Sequence, residues 1–229
     1  MKVRTKGRKW GLFFYFVATA LILGGGGLAA AAFPGGYDWA YTVASALASQ
    51  KHNPTGSKWF AGGVVLGTIF LGVALSGIRA KEPFGGGFYL ICLWVGVVGC
   101  GLVGLERLLL FHFSDRFHKG HELLALLAFL GLYIGVGGLI FQLRGVGESG
   151  RWPVFLLFLP LSAILCVQLW LYYDQRDLGW VDPGWREKGV PVWLSFAFWQ
   201  WWAMVGLWLA LGWVVWKGRA DSKQAGGSG

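Results

Sequence analysis

Apolar residues fall in long, nearly unbroken runs along this chain, separated by short polar stretches. Neither strict alternation nor a one-sided helical stripe describes those runs. Crossing a bilayer core of about 30 Å takes roughly 20 apolar residues at about 1.5 Å each. Six segments meet that length: Trp10–Phe33, Trp59–Ile78, Phe88–Phe111, Glu122–Leu143, Pro153–Tyr173 and Val192–Trp216. The pattern predicts an all-α integral membrane bundle of six transmembrane helices in one domain covering residues 1–229. A short helix lying at the interface is expected within Trp39–Gln50. The tail 218–229, rich in polar residues and glycine, is expected to be flexible. The first run follows a basic stretch, as a signal peptide would, but it is longer than a signal h-region and is read as a helix.

Composition agrees with this. Hydrophobic residues make up 55% of the chain and charged residues 14%, with a mean hydropathy of +0.55. A soluble domain carries about 25% charge. The 15 tryptophans suit membrane–water interfaces. The 38 glycines lie mostly inside apolar runs, where small residues let helix backbones approach. Four-residue spacing of small residues at Gly63 and Gly67, at Gly96, Cys100 and Gly104, and at Gly131 and Gly135 predicts one packing stripe on each helix. Cys92, Cys100 and Cys166 all fall in apolar segments, which argues against a disulfide framework.

Charge sets the expected orientation. With the N-terminus inside, the inner segments hold twelve of the 20 Lys and Arg residues and the outer loops hold seven, with Arg107 inside a span. Most acidic residues fall outside. The positive-inside rule then places both termini in the cytoplasm, in the cytoplasmic (inner) membrane. The net charge of +9 lies at the ends of apolar segments rather than in one patch, so nucleic acid is not an expected partner.

Chemistry-bearing residues concentrate on the expected outer side. The stretch HFSDRFHKGHE, residues 112–122, supplies His112, His118 and His121 as candidate metal ligands. Histidine and carboxylate are common ligands for zinc and copper. Glu106, Asp115 and Glu122 are the candidate catalytic residues, Asp115 or Glu122 as base for a metal-activated water, with Asp115 also a candidate N-cap. Glu106 sits within a span, where an ionisable side chain is costly and tends to face the bundle and pair. Arg107, about 100° further round the helix, looks a poor partner for it. Gln168, Tyr172, Gln200 or an outer-loop histidine are the expected partners. With His52, Asn53 and Arg107 these define a candidate ligand-binding mouth. No chain of carboxylates crosses the midplane, and no GxSxG, HExxH, P-loop or dinucleotide motif occurs.

Three features resemble a known group. They are Asn53-Pro54 just before a glycine-rich second span, a polar end to the third span containing Asp115, and His121 opening the fourth (HELLALLAFLGLYIG). Over residues 34–142 the chain resembles six-helix membrane proteins that include an uncharacterised bacterial family and the DRAM-like and GPI-anchor-remodelling proteins. The resemblance implies lipid handling at the outer leaflet and carries no catalytic set. The leading expectation is an outward-facing site for a lipid headgroup or a metal ion, extending to a metal-dependent lipid-modifying hydrolase. The alternatives are a non-catalytic subunit docking a membrane-protein partner through the Trp-rich last helix, and a small-molecule transporter.

Overall fold

Long apolar runs leave the backbone one way to satisfy its N–H and C=O groups in lipid, which is to bond them within helices. The computed structural model describes residues 10–78, 86–109, 118–144, 151–173 and 185–224. Its regular elements are all helical: α1 Gly11–Ala31, α2 Ala44–Leu47, α3 Ser57–Leu75, α4 Gly86–Leu109, α5 His118–Arg144, α6 Arg151–Tyr173 and α7 Phe196–Gln224. A single 3-10 turn, Val192–Leu194, precedes α7. Among the described residues, α1, α3, α4, α5 and α7 are long and apolar enough to cross a membrane. The protein is therefore a multi-pass membrane protein. The 23-residue α6 carries a shorter apolar stretch, Phe155–Val167, and Pro160 within it.

Small residues set the packing of neighbouring helices. A Cβ on Gly25 would meet the Trp59 carbonyl oxygen at 2.5 Å, and one on Gly63 would meet that of Leu21 at 2.6 Å. Only glycine permits this α1–α3 approach. On α4, Gly96 and Gly99 abut Leu132 and Ala128 of α5, while Gly101 and Gly104 face Thr68 and Val65 of α3. The expected single stripe Gly96–Cys100–Gly104 is thus divided between two neighbours, because α4 lies between α3 and α5. Tyr89 against Gly138, Leu93 against Gly135 and Gly99 against Ala128 make α4 and α5 antiparallel. At the opposite flank, Tyr15 donates to the Trp208 carbonyl (2.8 Å) and Trp208 donates to Thr19 (2.9 Å), joining α1 to α7. Tyr133 joins α5 to α7 through the Ala203 carbonyl (2.9 Å).

One end of the bundle carries a folded cap made of the α1–α3 connection and the segment before α7. The helix expected over Trp39–Gln50 is a single turn, α2, and most of residues 40–49 are buried rather than lying at an interface. Asn53 is wholly buried. Its amide donates to the carbonyls of Ala29 (2.8 Å) and Leu47 (3.2 Å), and its side-chain oxygen accepts from Gly56 N–H (3.0 Å). Gln200 accepts from Ala44 N–H (3.0 Å), tying α7 to α2. Tyr41 donates to the Val190 carbonyl, and Trp201 donates to Tyr37, which donates to the Thr42 carbonyl. Gly189, at φ +67°, makes the turn that returns Val190 N–H to the Trp185 carbonyl. α7 continues as far as Gln224.

A candidate functional site at the cap end

Glu106 lies twenty residues into α4, about 30 Å from its start. Extending the α4–α5 seam by two turns from Gly99 and back by two turns from Ala128 brings Glu106 opposite His121. Glu106 Oε2 lies 2.9 Å from His121 Nδ1, and the glutamate is 8% exposed. Of the partners expected for it whose side chains are described, the histidine is the one it meets, and Glu106 is buried in the bundle. As a carboxylate, Glu106 can only accept, so Nδ1 carries the proton. In the neutral ring Nε2 then holds the lone pair.

Arg107 is the correction. Its Nε lies 3.4 Å from Glu106 Oε2 despite the 100° step round the helix. The long, flexible Arg107 side chain curls back where a short one would not reach. The contact is an ion pair without hydrogen-bond geometry, and this buried Nε has no hydrogen-bond partner among the described residues. Glu106, Arg107 and His121 thus form a compact acid–base cluster under the cap end.

The other site residues divide three ways. Asn53 and Gln200 are committed to backbone groups of the cap, so their placement accounts for the fold of the mouth rather than for ligand contact. His52 and Glu122 are exposed. His112 and Asp115 lie outside the described residues, as do the side chains of His118, Gln168 and Tyr172. Among the described residues no group of three or more His, Cys, Asp or Glu side chains is gathered to hold a metal ion.

A second polar feature closes the cap. Arg186 donates to both carboxylate oxygens of Asp38, at 2.6 and 3.0 Å, and its guanidinium lies 5.2 Å from the centre of the Tyr41 ring. The Arg186 hydrogen bonds hold the Asp38 carboxyl below its ordinary range, and Asp38 in turn raises Arg186. Burial pushes Tyr37 upward. No sequence signal relates Asp38 to Arg186, which stand 148 positions apart. By contrast, Glu106 and His121 could be matched from the small-residue register of α4 and α5. No protein-family model, curated protein or solved structure matches this chain.

Proposed function

We propose that the cap end binds an anionic lipid headgroup, with Glu106, Arg107 and His121 as the polar centre of the site. The observation that carries this reading is the 2.9 Å His121–Glu106 contact, buried at the end of a membrane-spanning seam and flanked by the half-buried Arg107. A carboxylate so placed is expensive unless it organises something. Here it takes the imidazole's N–H and lies beside a guanidinium whose remaining N–H groups suit phosphate oxygens. The proposed setting is six spans, with α6 as the fifth, both termini cytoplasmic and the cap outward.

A metal ion is the second reading, favoured by one feature. A carboxylate on Nδ1 leaves Nε2 as the outward nitrogen, the arrangement that orients metal-ligating histidines. Zinc or copper would then need further ligands from His112, Asp115 or His118. A metal there would activate water for hydrolysis of the bound lipid.

Protein purified in mild detergent without chelator, then analysed by mass spectrometry for lipid and metal, tests both readings. Wild type is expected to retain phospholipid, and Glu106→Gln to lose it at least tenfold while keeping its thermal transition. Equal phospholipid in the two proteins defeats the headgroup reading. Stoichiometric zinc or copper lost in His121→Ala favours the metal instead.

A further inference from the structure

Hydroxyls within the long helices settle on their own backbone. Thr19 donates to the Tyr15 carbonyl (2.8 Å), Thr68 to that of Val64 (2.6 Å) and Ser162 to that of Phe158 (3.2 Å). Ser57 is the exception. It opens α3, and the carbonyl four residues earlier, that of Asn53, already accepts the Ser57 N–H (2.9 Å). Ser57 is 1% exposed, and its Oγ has no hydrogen-bond partner among the described residues. A buried hydroxyl without a partner costs stability, and alanine would fill nearly the same space without that cost.

The α3–α4 seam places this hydroxyl. Gly101 faces Thr68, and Gly104 faces Ala61, Val64 and Val65, so the two helices run antiparallel. One turn nearer the cap, Ser57 follows Ala61 and Leu108 follows Gly104 on the same faces. Leu108 packs against the cluster of Leu47, Ala48, Phe60 and Ala61, so the cap roofs this point. Arg107 adjoins Leu108. It lies about 60° round α4 from Gly104, on the side towards Glu106, while the exposed Leu105 lies on the other side. Arg107 therefore turns into the bundle. Three side-chain atoms among the described residues are buried without a hydrogen-bond partner. One, Trp185 Nε1, belongs to the cap. The other two, Ser57 Oγ and Arg107 Nε, stand on neighbouring helices at one level beneath it. The Arg107 side chain keeps 16% exposure, so the pair is approached from its side.

Both atoms carry a proton and lack a well-aligned acceptor. A hydroxyl and an N–H of a cationic guanidinium suit anionic oxygen, and phosphate presents several such oxygens. We propose that Ser57 Oγ and Arg107 Nε donate to the oxygens of one phosphate group held beneath the cap, with Ser57 as a ligand-binding residue. This adds a contact to the headgroup site above, and it rests on that reading where the phosphate belongs to a lipid.

Thermal transitions of the delipidated full chain in detergent test the assignment, with dioleoylphosphatidylglycerol, dioleoylglycerol and inorganic phosphate as probes. The phospholipid should stabilise wild type, and dioleoylglycerol should not. Without a probe, Ser57→Ala should melt higher than wild type, because an unsatisfied hydroxyl is gone. It should also need about tenfold more phospholipid for the same stabilisation, the loss of one good hydrogen bond. A Ser57→Ala protein that melts lower than wild type without a probe, or does not fold, marks a structural hydroxyl and overturns the proposal. An undiminished response of Ser57→Ala to phospholipid overturns it too. Where Glu106→Gln loses that response and Ser57→Ala keeps it, the headgroup reading stands without Ser57. Where inorganic phosphate alone stabilises wild type, and does so less in Ser57→Ala, the phosphate contact stands and the headgroup reading falls. No stabilisation of wild type by either phosphate source overturns both.

Discussion

Asn53 and Asp38 both anchor the cap, yet their energetics differ. Asn53 is enclosed, and its amide satisfies two carbonyls and one N–H that would otherwise be buried unpaired. Leaving such a group unsatisfied costs about 1–3 kcal/mol. Asn53→Ala should therefore lower the thermal transition of detergent-solubilised protein clearly. Asp38–Arg186 is partly exposed and screened, so Asp38→Asn should cost much less at neutral pH. Its pH dependence has a definite sign. A carboxyl held below its unfolded value stabilises the fold above that value and loses the effect as pH falls through the folded one. The difference between wild type and Asp38→Asn should fade below about pH 4. Thermal unfolding at pH 7 and pH 3 checks both statements. A larger Asp38→Asn effect at pH 3 than at pH 7 contradicts them. At this scale the sequence exposes the costly residue, Glu106, through its depth in an apolar run. It hides Arg107's part, because helical angle predicts direction for short side chains and not for long ones.

Helices were legible where hydrophobicity alone dictates them, and less so where packing decides. The long spans follow from apolar length, with ends displaced by a few residues because polar first and last turns such as His118–His121 join the helix. The α2 region departs further. Trp39–Gln50 has helical composition, but Tyr37, Asn53 and Gln200 draw its backbone into cap hydrogen bonds at Thr42, Leu47 and Ala44, leaving one helical turn. The close α4–α5 seam gives the clearest test. A Cβ at Gly131 would meet Gly96 N at 2.6 Å, with backbone on both sides. Side chains inserted into packed interfaces cost about 1–3 kcal/mol. Gly131→Leu should lower stability by at least that much, and it should also separate Glu106 from His121. Gly27→Leu, where no atom lies within 4 Å of the added Cβ, should be near neutral. Comparable thermal transitions for the two variants would count against the seam as the frame of the site.

For the whole molecule, apolar length made the membrane bundle legible, while the cap was hidden because it joins residues far apart in the chain. Membrane orientation comes from basic residues alone, and the outward headgroup site depends on it. The cap end should face outward and the α5–α6 connection inward. The direct measurement is labelling of single cysteines, with Cys92, Cys100 and Cys166 replaced, by an impermeant maleimide on intact cells. Ser49 is buried in the cap and would be a poor reporter. Lys51 is exposed beside it. Lys51→Cys should label on intact cells, and Glu148→Cys only after permeabilisation. Labelling of Glu148→Cys on intact cells, with Lys51→Cys protected until permeabilisation, would contradict the account.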